Sequence, residues 1–226
     1  MAKRTATKTR GRRPLTRERV LQKALELADR GGAEGLSMRK LAQELGVEAM
    51  SLYNHVENKD DILEGIVDLV AGEVELPADD EDWKAALRRT ATSAHDAFGR
   101  HPWAAALWLT PGKPSGPRLR YADSILRTLR RGRFSAPLTY HGYHSVIIHV
   151  LGYTLQEQNL RLRGDELEQM AAKFLREFQA DDYPDLAEHI KQHMAPGEEH
   201  QGAFAFGLEL VLDGLERLRD AEGATT

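Results

Sequence analysis

Glu48, Ala49, Ser51, Tyr53 and Asn54 form a run of side chains, all but Ala49 hydrogen-bonding, able to read the edges of base pairs. An asparagine amide pairs two-fold with adenine, Ser and Tyr hydroxyls reach phosphates or base edges, and Ala or Met meets a thymine methyl. The spacing places these five outward on a helix expected over residues 48 to 55, with Met50 or Leu52 turned inward. Lys59 opens the next helix, where an ammonium beside free backbone N–H groups can grip a phosphate. An ordinary helical hairpin would have the same spacing, so spacing alone leaves both readings open.

Enzyme chemistry is poorly served. No Gly-rich phosphate loop, nucleophile elbow or carboxylate pair is present, and the 226 residues contain no cysteine, which excludes disulfides and thiolate metal sites. No catalytic residue, metal or cofactor is expected. There are nine histidines. His189 and His193 would share a helix face, with Glu188 beside them and His200 further on, which describes either a weak divalent-metal site or a solvated polar face. His95, His101, His141, His144 and His149 lie among apolar residues, as core or interface histidines or as polar groups in a pocket.

The elements that must present the reading residues are legible around them. Ser37 can cap a helix whose Met38, Leu41, Ala42 and Leu45 recur at helical spacing, and Gly46 ends it with the positive φ that a tight turn needs. Val47 plugs the turn, so residues 37 to 55 read as a helix-turn-helix. Before it, Thr16 caps a supporting helix with Val20, Leu21, Ala24, Leu25 and Ala28 in one stripe up to Gly31 and Gly32. After it, a helix from Asn58 to about Leu76 carries Ile62, Leu63, Ile66, Val67, Val70 and Val74. The acidic segment 77 to 82 has no helix signal and marks a domain boundary.

Charge is unevenly placed. Residues 1 to 60 hold 13 Lys or Arg against 8 Asp or Glu, a balance of +5, so a chain of net charge -4 carries -9 in the rest. A nucleic-acid-binding head on an acidic body would show this, as would a chance imbalance on a solvated surface. Residues 1 to 13 are a disordered basic arm that either lies along a minor groove or keeps the chain in solution. No apolar run approaches the roughly 18 residues of a membrane span, and the basic start is not followed by a signal-like stretch. A soluble, cytoplasmic protein with no membrane partner is expected.

Residues 77 to 226 read as helical throughout. Trp83, Leu87, Ala91, Ala94 and Phe98, at spacings of 4, 4, 3 and 4, describe the buried face of a helix ending before His101. A short apolar helix over 103 to 109 should sit among other helices, followed by one over 118 to 131 bearing Leu119, Ala122, Leu126 and Leu129. A helix over 138 to 163 is apolar around more than half its circumference and must be covered on two sides. Helices over 165 to 180 and 184 to 194 precede the last, over 201 to 220. There Phe204, Leu208, Val211, Leu215 and Leu218 form a seam suited to a dimer contact or to burial within the monomer.

Four of these helices bring together walls for an effector pocket: Phe98, Trp103, Trp108, Leu109, Tyr121, Tyr143, Ile147 and Leu151, with His95, His144 and Gln156 able to fix orientation. The ligand would be mostly apolar and aromatic, because tryptophan supplies flat faces rather than charge. Core packing accounts for the same residues without a ligand.

Ala24 to Ala28, Gly35 to Val47, Ser51 to Val56 and Asn58 to Leu63 resemble the DNA-binding head of the TetR family of ligand-responsive repressors. His101 to Trp103, Leu151 to Glu157, Tyr183 to Leu186 and Phe204 to Leu215 are similar to the C-terminal domain of the tetracycline repressors within it. The resemblance implies an all-α fold: a three-helix helix-turn-helix head with a connecting helix over residues 14 to 76, and a larger helical ligand-binding and dimerisation domain over 77 to 226. It further implies that Ser37, Met38, Arg39, Glu48, Ala49, Ser51, Tyr53, Asn54, His55 and Lys59 touch DNA. The last helix, with Phe204, Leu208, Val211 and Leu215, would join the helix around 140 to 163 in a homodimer bundle.

By the same resemblance, the histidine that binds the drug-associated magnesium in the tetracycline repressors aligns with Trp108, a nearby arginine with Gly112, and a supporting glutamate with Gln156. An indole and an amide do not suit a hard cation, so a chelated tetracycline is not the expected ligand. The expected function is a homodimeric repressor on a palindromic double-stranded DNA operator, its two recognition helices about 34 to 36 Å apart, released by a small, mostly apolar effector. The alternative is a DNA-binding regulator without an inducer, controlled by abundance or a protein partner.

Overall fold

The computed structural model describes residues 14–110, 112, 116–161, 173, 182–194 and 202–224, and every regular element among them is a helix. The basic arm, the helix expected over 165 to 180, His200 and the side chain of His193 lie outside the described residues. The chain divides into two compact units, Met1–Ile66 and Val67–Thr226.

In the first unit, α1 (Arg17–Gly31) starts where Thr16 Oγ1 accepts from the Arg19 N–H and stops at Gly32, with Val20, Leu21, Ala24, Leu25 and Ala28 buried. Ser37 Oγ likewise accepts from the Lys40 N–H to open α2 (Met38–Leu45). Gly46 closes it in the left-handed region at φ 67°, and the Val47 N–H reaches back to the Ala42 carbonyl at 3.0 Å, a turn that satisfies the last carbonyls of α2. The recognition segment is shorter than the eight residues expected: α3 spans Ala49–Leu52, followed by turn backbone through His55. Leu52, rather than Met50, is its buried anchor. Helix α4 (Lys59–Gly72) crosses α1 at Gly65, where a Cβ would stand 2.6 Å from a Leu21 methyl. Only a glycine permits that approach without moving Leu21.

The two units divide inside α4, after Ile66. The later turns of α4 are committed to the second unit through side chains: Asp68 to Arg118, and Glu73 to Arg100 and His101. Four longer helices organise this unit: α5 (Trp83–Arg100), α7 (Gly116–Arg131), α8 (Ala136–Arg161) and α10 (Ala203–Ala224), with the short α6 (Ala104–Trp108) and α9 (Pro184–Met194) between. Helix α8 packs against α5, α6, α7 and α10, which explains why its apolar residues cover more than one side.

Two faces differ from their expected register. On α7 the buried residues are Arg118, Tyr121, Ser124, Ile125, Thr128 and Leu129, while Leu119 is exposed. The helix is turned so that Arg118 reaches Asp68, and the hydroxyls of Ser124 and Thr128 are satisfied by carbonyls one turn back. On α10 the buried residues are Phe204, Leu208, Leu212 and Leu215. One flank is held to α5 by ion pairs, Lys84 with Asp213 and Glu216 at 2.7 and 2.6 Å and Arg88 with Glu209 at 2.8 Å. Those pairs set the rotation of the helix.

Candidate nucleic-acid interface and effector site

The exposed surface of the helix-turn-helix is built from a few fixed points. Leu52 is fully buried and Met50 is 75% exposed, which turns Glu48, Tyr53 and Asn54 to solvent and leaves Ala49, Ser51 and His55 half-buried. The backbone after α3 is held by the His55 and Val56 N–H groups, both donating to the Leu52 carbonyl at 2.8 and 3.0 Å. From α1, Arg17 donates to the His55 carbonyl at 3.2 Å and grips the Asp61 carboxylate with both terminal nitrogens, at 2.7 and 2.5 Å. Asp61 also accepts from the Glu57 N–H, while Asn58 Oδ1 caps α4 by accepting from the Asp61 N–H. The Arg17 guanidinium holds the Asp61 carboxyl below the usual carboxylate range.

Ser37 and Arg39 are exposed at the start of α2, with Met38 half-buried beside them. Lys59 is half-buried and its ammonium donates to the Glu34 carbonyl at 3.4 Å, so it braces the α1–α2 loop as well as starting α4. The sequence did not mark Arg17 as part of this construction. Its partners lie 38 and 44 residues away, beyond any local pattern.

In the second unit an aromatic chain links three of the expected wall residues. Phe98 on α5 stands edge-on to Trp108 on α6 at 5.3 Å between centroids, and Trp108 stands edge-on to Tyr121 on α7 at 5.4 Å. Tyr143 on α8 interacts electrostatically with Tyr121, and burial pushes both phenols above their ordinary pKa, so both stay protonated. Ile147 and Leu151 are buried on α8.

The remaining expected pocket residues are placed elsewhere. Trp103 is half-buried with its ring 6.1 Å from His101. Leu109 is 65% exposed because α6 ends before it, and His144 and Gln156 lie on the exposed side of α8. The Nδ1 of His144 is 2.9 Å from the Tyr140 carbonyl, within its own helix. His95 belongs to a second cluster: its ring stacks on Phe204 at 4.1 Å and its Nε2 lies 2.8 Å from Glu157. His149 stacks on the same phenylalanine and bonds the Phe204 carbonyl at 2.9 Å, with Tyr153 edge-on to it. This cluster fastens α10 to α5 and α8. Sequence reading did not pair these residues, which come from three helices.

Phe204, Leu208 and Leu215 therefore face inward within one chain, with Val211 half-buried. The half-buried and exposed residues on one flank of α10 lie one position away. Ala203, Gly207, Leu210, Gly214 and Ala221 run along the flank opposite the ion pairs, and Phe206 is 69% exposed beside them. A Cβ on Gly207 would meet the His149 ring, so this flank faces α8. The adjoining face of α8 presents His141, Ser145, Ile148, Gly152, Leu155 and Asn159, and α8 carries no charged side chain from Ala136 to Gln156.

No group of three or more His, Asp or Glu able to hold a metal ion occurs among the described residues. Among them, too, no helix is long and apolar enough to cross a membrane.

Residues 20–66 match the bacterial regulatory proteins of the tetR family, and residues 76–219 match the tetracyclin repressor-like C-terminal domain. The HTH-type transcriptional repressor DrrR1 of Streptomyces coeruleorubidus is 34% identical, covering 93% of this chain and 81% of its own. The class C tetracycline repressor of Escherichia coli is 30% identical over 91% of this chain and 92% of its own. Among solved structures, the TetR family protein ActR of Streptomyces coelicolor in complex with actinorhodin superposes with a TM-score of 0.78 at 26% identity, covering 92% of this chain and 99% of its own.

Proposed function

The chain belongs to the TetR family of DNA-binding, non-enzymatic transcriptional regulators, and on that premise we propose that it is a homodimeric repressor of a palindromic operator, released by a small, mostly apolar aromatic effector. The observation that carries the DNA half is the surface around α3: Tyr53 and Asn54 exposed, Leu52 anchoring them, and Arg17 fastening the loop behind. Ser37, Met38, Arg39, Glu48, Ala49, Ser51, Tyr53, Asn54, His55 and Lys59 form the contact set, in which Asn54 and Tyr53 supply base or phosphate contacts. A protein working on DNA acts in the cytoplasm of a bacterial cell.

The effector half rests on the Phe98, Trp108 and Tyr121 chain, with Tyr143 near Tyr121 and Ile147 and Leu151 buried on α8. ActR in complex with actinorhodin and a TetR variant from Acinetobacter baumannii in complex with minocycline give a polycyclic aromatic effector its support. Here the indole of Trp108 offers no oxygen ligand and Gln156, exposed on α8, offers only a neutral amide in place of a carboxylate, so the effector binds without a chelated metal.

The dimer half rests on the uncharged face of α8 and the small-residue flank of α10 that adjoins it. Spacings of 4 and 3 along His141, Ser145, Ile148, Gly152, Leu155 and along Ala203, Gly207, Leu210, Gly214 suit two helices from each copy packing at a shallow angle. A two-fold axis buries the same patch from both sides. Induction then requires the effector to favour a dimer whose recognition helices are wrongly spaced, by on the order of 5 kcal/mol of differential affinity.

The deciding experiment is selection from a random duplex DNA pool on the purified protein at about 150 mM salt, where non-specific phosphate binding is weak. An enriched palindrome with half-sites one helical turn apart is the expected result. No enrichment at any salt would overturn the reading.

A further inference from the structure

Among the described residues, two buried side-chain oxygens have no hydrogen-bond partner: Thr90 Oγ1 and Tyr121 Oη. Both belong to the second unit, on helices α5 and α7, which pack against each other. Thr90 lies two turns before Phe98 on the same face of α5, and Tyr121 meets Trp108, which meets Phe98. Tyr121 is 1% exposed, and the hydroxyl of Ser124 already satisfies its backbone carbonyl. The phenol oxygen is the anomaly.

A phenylalanine would fill the same space without the penalty of an unpaired buried hydroxyl. The oxygen therefore costs the free domain stability, and a group that bonds it in the bound state recovers what was lost. Burial keeps the phenol protonated, so it acts as a neutral donor. The cation nearest in the chain on the same helix face, Arg118, is committed to Asp68. The rings linked to Tyr121, Trp108 and through it Phe98, add no charge, so an ionised ligand group would be poorly compensated there.

We propose that Tyr121 donates its phenolic hydrogen bond to a carbonyl oxygen of the effector, so that the site takes flat, uncharged aromatic ketones in preference to the matching hydrocarbons. This deepens the effector reading given above and rests on it. The aromatic edges of Phe98 and Trp108 select the ring system, and the orphan hydroxyl selects the oxygen. One hydrogen bond of this kind corresponds to up to about tenfold in affinity.

The test uses the full-length protein and two probes of the same tricyclic shape, 9-fluorenone and fluorene, which differ in the carbonyl. Equilibrium dialysis should show fluorenone bound about tenfold more tightly than fluorene. Tyr121→Phe should bring fluorenone down to the fluorene level and leave fluorene binding unchanged. The free variant should melt at or above the wild-type temperature, because an unpaired oxygen has been removed. Equal binding of both probes by the wild type, or selectivity that survives in Tyr121→Phe, overturns the carbonyl assignment and leaves the aromatic site standing. A variant that melts several degrees lower also overturns it, since the hydroxyl then has a structural partner. Failure of both probes to bind the wild type overturns the aromatic effector site itself.

Discussion

Arg118 Nε donates to Asp68 Oδ1 at 2.7 Å, with the two side chains only 9% and 11% exposed. The first turn of α7 is thereby ion-paired to the later turns of α4, the helix within which the two compact units divide. Tyr121, the proposed effector contact, is one turn further along the same face of α7.

Asp68→Asn should lower stability by about 3 kcal/mol, because removing one partner leaves a buried cation uncompensated. The double replacement Asp68→Leu with Arg118→Met should recover most of that loss, since the desolvation cost disappears with the charges. In the double variant the effector should release DNA less well even though both ligands still bind separately. Urea unfolding and operator titration with and without effector measure the two effects. A full effector response in the double variant would remove the pair from the coupling.

Asn54→Ala should weaken specific operator binding by about 1–3 kcal/mol and leave the melting temperature unchanged, because the side chain is exposed. Leu52→Ala should do the reverse, destabilising the head by about 2–5 kcal/mol through the cavity left at a fully buried position. Fluorescence anisotropy on the selected operator, beside thermal melts, separates the two. Unchanged operator affinity in Asn54→Ala would refute the assignment of α3.

Ile148→Glu combined with Leu210→Lys should convert the protein to a folded monomer. Both residues are exposed in the single chain, at 63% and 57%, so neither substitution disturbs its core. Sedimentation equilibrium should give twice the chain mass for the wild type and the chain mass for the variant. A dimeric variant would place the interface elsewhere.

The Arg17–Asp61 pair makes the head acid-sensitive in a defined direction. A carboxyl whose folded pKa is lowered adds stability above its unfolded value of about 3.9, and that stability is lost as the pH falls through the folded pKa. Arg17 is about half exposed, so the contribution is screened to about 1 kcal/mol. Asp61→Asn should cost roughly that amount at pH 7 and almost nothing at a pH below the lowered folded pKa. Urea unfolding at both pH values checks the sign; an equal loss at both would show that charge is not responsible.

Much of this architecture is legible in short stretches of chain. Thr16 and Ser37 cap the helices that follow them, Gly46 closes α2, and α5 begins at Trp83 and ends before His101, as its spacing predicts. Caps, turns and apolar stripes are settled by residues within a few positions of one another, and the head motif is built almost wholly from them.

What periodicity leaves open is which neighbour covers a face, and that choice is made by partners far along the chain. Helix α3 ends at Leu52 with the backbone behind it tied by Arg17, 38 residues upstream of His55. Helix α7 buries Arg118 instead of Leu119 because Asp68 waits 50 residues earlier, and α10 turns Phe204 inward because His95 and His149 close on it from two other helices. An apolar repeat states that a helix has a face to bury; the ion pairs, ring stacks and unpaired hydroxyls that select its rotation exist only once distant segments are packed together.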